Sequence, residues 1–173
     1  MRVLMAPRPP VYSDLIKNGV FLSGAIDMGG AERWQDELIK IMEPVVPPST
    51  LVLNPRRDDW DDTWVQSMSD WRFAQQVRWE LQSIAQSALV LVCLPEHSKA
   101  PITLLELGLM TSRSIEEPYR GVAVYCHPGF YRAGNVAAVC EFGGFKQVSS
   151  LSELATFACR GMNEGWQQSY DQV

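Results

Sequence analysis

Two glutamates have surroundings that could support acid, base or nucleophilic chemistry. Glu106 interrupts the apolar segment ITLLELGLM, just inside a predicted helix, and Glu80 lies seven residues after Phe73 and four before Ile84 on the inward face of another helix. Free N–H groups at a helix start favour an ionised carboxylate, so Glu106 could act as a nucleophile. Two carboxyl groups in different surroundings can divide acid and nucleophile roles. The alternatives are a Glu106 that caps its helix or faces solvent, and an exposed Glu80 paired with a cation such as Arg78.

The segment SGAIDMGG, residues 23–30, could hold a small ligand close to the backbone. Ser23, Gly24, Ala25 and Asp27 belong to this turn, which precedes a predicted helix. Its spacing matches neither the dinucleotide-binding GxGxxG pattern nor the GxxxxGK[ST] phosphate loop, and the Asp27 carboxylate opposes an anion. Turn geometry alone is the alternative explanation of its glycines.

A long polar loop, NPRRDDWDDTWVQSMSD, carries tryptophans that a plain linker would not need. Trp60 and Trp64 could stack on a flat ring such as a nucleobase, or they could instead pin the loop to the protein. Arg56 and Arg57, which precede two aspartates, are predicted to form a solvated salt-bridge cluster.

Alternating apolar and amphipathic segments predict an α/β fold. The expected architecture is a flavodoxin-like three-layer sandwich with a five-stranded, mainly parallel sheet of order 2-1-3-4-5. Ligands of such sheets bind beyond the carboxyl ends of the strands, near the switch point between strands 1 and 3. The predicted strands are residues 19–24, 50–53, 88–94, 121–125 and 145–148, and the predicted helices are residues 31–42, 71–86, 102–112 and a last one from about residue 150.

The domain organisation follows from these segments. Residues 1–18 are rich in proline and aperiodic, which predicts an extended N-terminal arm; residues 19–165 form the single domain, and residues 166–173 a C-terminal tail. For Asn135, within RAGNV, a turn is the default interpretation.

Composition excludes several classes of protein. The chain has 173 residues with a net charge of −5, which disfavours binding to a nucleic-acid polymer. Its four cysteines form no CxxC pair and it has only two histidines, so no metal site or other cofactor is expected. No leader-like segment and no apolar run of about 20 residues is present, so a cytoplasmic protein without a membrane span is expected.

Four segments in this order carry a resemblance: FLSGAI, WELQSIAQSALVLVCLP, PITLLELGLM and GFYRAGNVAAVC. Over about residues 19–148 the chain resembles the nucleoside 2-deoxyribosyltransferase-like family, within the superfamily of nucleoside deoxyribosyltransferases and deoxynucleoside monophosphate N-hydrolases. The resemblance implies a flavodoxin-like sheet. It also implies cleavage of the N-glycosidic bond of a (deoxy)nucleoside or nucleotide, with the sugar passed to another base or to water.

The resemblance also implies residue roles. Glu106 matches the nucleophile that forms a glycosyl–enzyme ester, and Glu80 stands where relatives place an aspartate that contacts the base or sugar. Asn135 matches an asparagine lent by a neighbouring subunit, which implies a homodimer or a larger oligomer. The matches to the loop around the sugar and its 5′ group are Ser23, Gly24, Ala25 and Asp27.

Departures from the family pattern leave alternatives open. Ala88 stands where many relatives carry aspartate, and Ala100 where transferases usually carry a further one, which makes base exchange a weaker expectation than bond cleavage. Asp27 replaces a basic residue of the monophosphate hydrolases and favours an unphosphorylated nucleoside. A catalytically silent nucleotide-binding module and an NAD-like ribosyl hydrolase remain alternative functions.

Overall fold

The computed structural model describes residues 1–26, 33–57, 59, 61, 63–116 and 121–164. Within these ranges the chain alternates between strands and helices, as the apolar runs predict. The strands are β1 (Arg2–Met5), β2 (Gly19–Gly24), β3 (Leu51–Asn54), β4 (Leu89–Leu94), β5 (Gly121–Cys126) and β6 (Lys146–Val148). The helices are α1 (Tyr12–Asn18), α2 (Trp34–Met42), α3 (Trp71–Gln86), α4 (Pro101–Glu116), α5 (Ala133–Gly143) and α6 (Leu151–Glu164).

All neighbouring strands of the sheet are parallel, and their order is β1-β3-β2-β4-β5-β6. The α/β class and the parallel sheet are therefore confirmed, but the predicted five-stranded order is wrong because the sheet has a sixth strand. The five predicted strands keep their predicted neighbours, and β1 is added beside β3. In the centre, Phe21 of β2 is in register with Leu53 on one side and Val90 on the other.

Helices cover both faces of the sheet. Side chains of successive strand residues point to opposite faces, so Val90 and Val92 of β4 pack in the core beneath α1, α3, α4 and α5. Leu89 and Leu91 pack in the second core beneath α2 and α6. A strand buried on both faces must be apolar throughout, which is why the β4 segment could be predicted from its sequence.

The N-terminal segment belongs to the folded domain. Residues 2–5 form the edge strand β1, and Leu15 of α1 is fully buried in the first core. The prediction of an extended arm over residues 1–18 is therefore wrong. Four-residue strands and seven-residue helices are too short to show a periodicity, and the prolines between β1 and α1 obscured both. The predicted tail, residues 166–173, lies outside the described residues.

Two helices differ from the sequence prediction. Helix α4 starts one residue earlier and continues to Glu116, and α5 was not predicted at all. Only Val136 and Cys140 of α5 are buried, so its apolar stripe is too narrow to give a clear helical period. No helix in the described part of the chain has the length and apolar character needed to cross a membrane.

Replacing Leu15 tests whether α1 is part of the core. Leu15→Ala is expected to lower the free energy of unfolding in urea by about 2–5 kcal/mol, because a fully buried leucine leaves a cavity. Leu81→Ala, a matched change on the outer side of α3 where the side chain is 42% exposed, is expected to cost less than about 1 kcal/mol. Equal effects of the two variants would contradict the burial of α1.

Candidate active site

A cavity of about 480 Å³ opens at the carboxyl ends of β2 and β3, between α3 and the start of α4. The predicted position beyond the strand ends is therefore occupied by a cavity. Its walls come from the β2 end, the segment after β3, one face of α3 and the first turns of α4. The lining residues are Phe21, Ser23, Gly24, Ala25, Ile26, Pro55, Arg56, Arg57, Gln66, Phe73, Gln76, Val77, Glu80, Ala100, Pro101, Ile102, Thr103 and Glu106.

Glu106 lies in the second turn of α4 and lines this cavity with only 8% of its surface exposed. The hydroxyl of Ser23, at the end of β2, donates a hydrogen bond of 2.8 Å to Glu106 Oε2. Oε1 has no hydrogen-bond partner within the described ranges. The two residues are 83 positions apart in the chain, and the parallel pairing of β2 with β4, which α4 follows, brings them together.

Glu80 lines the same cavity from α3. Gln76, one helical turn earlier, donates from Nε2 to Glu80 Oε1 at 2.8 Å and to the Pro55 carbonyl oxygen at 2.9 Å. Neither of the exposed arrangements considered from sequence is present, since Glu80 faces the cavity and Glu106 is buried. The structure thus brings the two predicted carboxyl groups to one cavity.

Burial controls the ionisation of both carboxyl groups. Loss of water raises the pKa of Glu80 from 4.5 to about 7, against the lowering effect of the Gln76 hydrogen bond. Burial first and the charge of Glu80 second raise the pKa of Glu106 from 4.5 to about 8, against the lowering effect of the Ser23 hydrogen bond. The prediction that the helix start keeps Glu106 ionised is therefore wrong in this structure, because Glu106 is in the second turn and desolvation outweighs the helix dipole.

Close packing explains the glycine at the end of β2. A Cβ on Gly24 would lie against the carbonyl oxygen of Cys93 and 2.6 Å from the ring of Trp34. The same indole anchors the next residue, because Trp34 Nε1 donates to the Ala25 carbonyl oxygen at 3.0 Å. Gly24 and Ala25 thus shape one wall of the cavity through their backbone.

The α4 start has an unusual backbone at the cavity wall. Ala100 adopts a φ of 40°, the left-handed region that residues with a Cβ rarely occupy, directly before Pro101. Its carbonyl oxygen accepts the N–H of Leu104 at 3.1 Å and closes the first turn of the helix. With alanine at position 100, this part of the wall carries no carboxylate.

Two of the other predicted site residues, Trp64 and Asn135, are not brought to the cavity. Trp64 is buried, and its ring lies against the guanidinium groups of Arg57 and Arg72, at 4.8 and 5.5 Å, rather than on the cavity wall. Asn135 is exposed in the first turn of α5, so it lies in a helix and not in the turn taken as the default. Asp27 and Trp60 lie outside the described residues.

The two arginines after β3 differ from their sequence interpretation. Arg56 is 7% exposed and donates from Nε to Gln35 Oε1 at 3.0 Å. Arg57 bonds both carboxylate oxygens of Asp59, at 2.8 and 2.7 Å, and its own side chain is largely buried. The prediction of a solvated salt-bridge cluster is therefore wrong for the arginines, which line the cavity.

Sequence reasoning missed Gln76, the residue that donates a hydrogen bond to Glu80. Its position four residues before Glu80 on one helix was the available signal, because residues at that spacing are neighbours on a helix surface. Its bond to Pro55 is a tertiary contact with no local signature. No cluster of three or more potential metal ligands occurs within the described ranges.

Comparison with known proteins places this site in a family. The family model described as nucleoside 2-deoxyribosyltransferase like matches residues 17–130. This chain belongs to that family, which fits N-glycosyl transfer in general. The match includes Ser23, Glu80 and Glu106, whereas Asn135 lies beyond its end. No curated protein matches the chain.

A solved structure shares the fold. A conserved protein from Enterococcus faecalis V583 superposes with a TM-score of 0.58 at 12% sequence identity, covering 80% of this chain and 95% of that chain. At this identity the similarity concerns the arrangement of helices and strands alone.

The raised carboxyl pKa values predict how stability depends on pH. A carboxyl group whose pKa is higher in the folded than in the unfolded chain destabilises the fold as the pH rises from about 4.5 through its folded value of about 8. Glu106→Gln removes this ionisation, so its stability relative to wild type is expected to rise by on the order of a few kcal/mol between pH 5 and pH 8.5.

Urea unfolding of both proteins across this pH range measures the effect. Glu141→Gln, a change of the same type at an exposed position of α5, is expected to follow the wild-type curve. A constant difference between Glu106→Gln and wild type at all pH values would show that burial does not raise the Glu106 pKa.

Proposed function

We propose that this protein cleaves the N-glycosidic bond of a (deoxy)nucleoside or nucleotide through a covalent glycosyl ester on Glu106. The observation that carries the proposal is the pair of carboxyl groups, Glu106 and Glu80, lining one cavity in a chain of this family. Such a pair can supply a nucleophile and an acid to one substrate.

The proposed reaction proceeds in two displacements. Glu106 attacks the anomeric carbon while the bond from that carbon to the base nitrogen breaks, and the departing base takes the bonding electrons and a proton from Glu80. In the second step water, or a second base, attacks the same carbon and releases the Glu106 carboxylate. The proton lost by the acceptor, from water or from the attacking nitrogen of the second base, passes to Glu80, so both groups return to their starting state.

The hydrogen bond from Ser23 supports the nucleophilic role of Glu106. The Ser23 hydroxyl donates a hydrogen bond of 2.8 Å to Oε2 of Glu106, so Oε1 remains available to attack the sugar. It also favours the ionised form of Glu106, which a nucleophile needs, against the desolvation that opposes it. With a pKa of about 7 for Glu80 and about 8 for Glu106, the pair passes near neutral pH through a state with one proton, which resides mainly on Glu106 before a substrate binds. The proposed roles therefore require that this proton move to Glu80 when the substrate binds.

The walls of the cavity favour a flat, largely apolar base. Phe73, Val77 and Ile102 form apolar surface around the two carboxyl groups, and Gln66 can hydrogen-bond to a base edge. Two cationic side chains lie nearby: Arg56 bonds Gln35, and Arg57 pairs with Asp59, while Arg57 Nη1 has no hydrogen-bond partner within the described ranges. Asp27 follows Ile26 of this wall in the sequence, and repulsion between its carboxylate and a phosphate favours an unphosphorylated nucleoside over a monophosphate.

Replacing Glu106 tests the covalent mechanism. With a panel of nucleosides, nucleotides and NAD, wild type is expected to release free base from at least one nucleoside, measured by chromatography. Glu106→Ala is expected to lower the rate by at least about a thousandfold because the nucleophile is lost. Mass spectrometry of quenched wild type is expected to find the sugar attached to Glu106.

Control and contrary outcomes separate the alternatives. Glu141→Gln is expected to retain the wild-type rate, since this glutamate lies outside the cavity. Nucleoside binding measured by calorimetry without any base release would favour a silent binding module, and release of nicotinamide from NAD would favour a ribosyl hydrolase. Undiminished turnover by Glu106→Ala would exclude Glu106 from the mechanism.

We also propose that a second copy of the chain completes the site. Leu105 and Leu109 form an exposed apolar stripe on α4, together with Ile102, and these side chains are 71%, 42% and 60% exposed. Ile102 also lines the cavity, so the stripe continues from the cavity to the outer surface. Covering it with a second subunit would remove apolar area from water next to the substrate. Asn135, exposed on the neighbouring helix α5, is the residue proposed to reach the partner's cavity.

A charge in the middle of the stripe tests this assembly. Wild type is expected to have the mass of an oligomer by light scattering. Leu105→Asp is expected to have the mass of a monomer, because the interface would have to bury a carboxylate. Leu81→Asp, an equivalent change on α3, is expected to leave the mass unchanged. A monomeric wild type at assay concentrations would contradict the proposal.

A further inference from the structure

The side-chain amide of Gln76 bridges two parts of the cavity wall. Both hydrogens of its Nε2 are used, one toward the Pro55 carbonyl oxygen at 2.9 Å and one toward Glu80 Oε1 at 2.8 Å. Gln76 is 4% exposed, so these bonds are shielded from water. A peptide carbonyl oxygen only accepts hydrogen bonds, so the bond to Pro55 fixes which end of the amide is the nitrogen.

The backbone at Pro55, which accepts one of these hydrogen bonds, is itself held in place. It directly follows β3, and the next N–H, that of Arg56, donates to Asn54 Oδ1 at 3.0 Å, which secures the backbone at the strand end. Gln76 therefore links Glu80 to the sheet itself, and not only to its own helix α3.

The bridge determines which oxygen of Glu80 can carry a proton. Because Oε1 accepts an N–H from Gln76, a proton on neutral Glu80 resides on Oε2. An acid that donates to a leaving base needs its proton at a fixed atom and in a fixed direction. We infer that Gln76 is a positioning residue, which holds Glu80 by Oε1 so that Oε2 delivers the proton to the departing base.

This inference rests on the proposed function and deepens it by assigning a residue that acts through Glu80. One atom of this arrangement lowers the stability of the fold. Gln76 Oε1 is buried without a hydrogen-bond partner within the described ranges, which an apolar side chain at this position would avoid. A methionine of similar length would carry no such oxygen, but it would leave the Pro55 carbonyl oxygen and Glu80 Oε1 without this donor.

Gln76→Met is the principal test, with Gln75→Met as its matched control on the exposed side of the same helix. Gln76→Met is expected to lower kcat about tenfold or more with little change in KM, because the proton donor is misplaced while the substrate contacts remain. Gln75→Met is expected to keep the wild-type kcat. Gln76→Leu, which also removes the N–H donor and adds no charge, covers the case in which Gln76→Met does not fold.

The pH profile separates positioning from a structural defect. The Gln76 bond favours ionised Glu80, so its loss is expected to raise the Glu80 pKa and move the alkaline limb of kcat/KM to higher pH. The other charged groups that line the same cavity are Glu106 on α4 and Arg56 and Arg57 after β3, and none of them is altered. A uniform loss of rate with an unmoved limb would overturn the inference.

A readout that needs no turnover distinguishes this inference from the proposed reaction. In protein labelled with ¹³C at the glutamate carboxyl carbons, the Glu80 resonance, identified by its absence in Glu80→Gln, reports the Glu80 pKa. An upward shift in Gln76→Met, absent in Gln75→Met, supports the bridge even if no substrate is turned over. An unchanged Glu80 titration, with wild type active, would overturn the role of Gln76 and leave the reaction standing.

Discussion

Burial of Glu80 and Glu106 in one cavity is the constraint around which the rest of the site is arranged. Each carboxyl group loses water, and ionisation of one opposes ionisation of the other, so the pKa of both rises toward neutral pH. A protein gains no stability from such a pair above pH 5, since the unfolded chain would hold these groups as hydrated anions. An arrangement that lowers stability yet is present in an otherwise well-packed core is typical of a functional site.

The parallel sheet makes this arrangement possible because it brings together the ends of elements distant in sequence. Ser23 reaches Glu106 from the end of β2, and Pro55 reaches Gln76 from the end of β3. Each carboxyl group therefore accepts one hydrogen bond whose donor is tied to a strand end. Helices alone could move relative to one another, whereas groups anchored to adjacent hydrogen-bonded strands hold a fixed separation.

Local sequence patterns predicted the strands and helices in which apolar residues form an uninterrupted run or recur at a regular spacing. The apolar run of β4 and the amphipathic face of α3 were both recognisable, and Glu80 and Glu106 were found because each breaks such a pattern. Strand β1 and helix α1 were missed because they are short, and their place in the fold depends on contacts with β3 and the first core. The raised pKa of Glu106 was missed for a related reason: helix position is local, while desolvation depends on the whole cavity.

The same distinction between local and tertiary effects explains how two chemically identical groups could take different roles. Both are glutamates, and each accepts a single hydrogen bond that favours its ionised form. Their partners differ, however: a hydroxyl at the end of β2 leaves Glu106 one oxygen for attack, whereas the doubly engaged amide of Gln76 fixes the oxygen at which Glu80 can be protonated. In the reaction that we propose, the division of roles between the two glutamates arises from the geometry of the donors and not from residue type. A chain that kept both glutamates but lost these two donors would hold the two carboxyl groups without a fixed orientation.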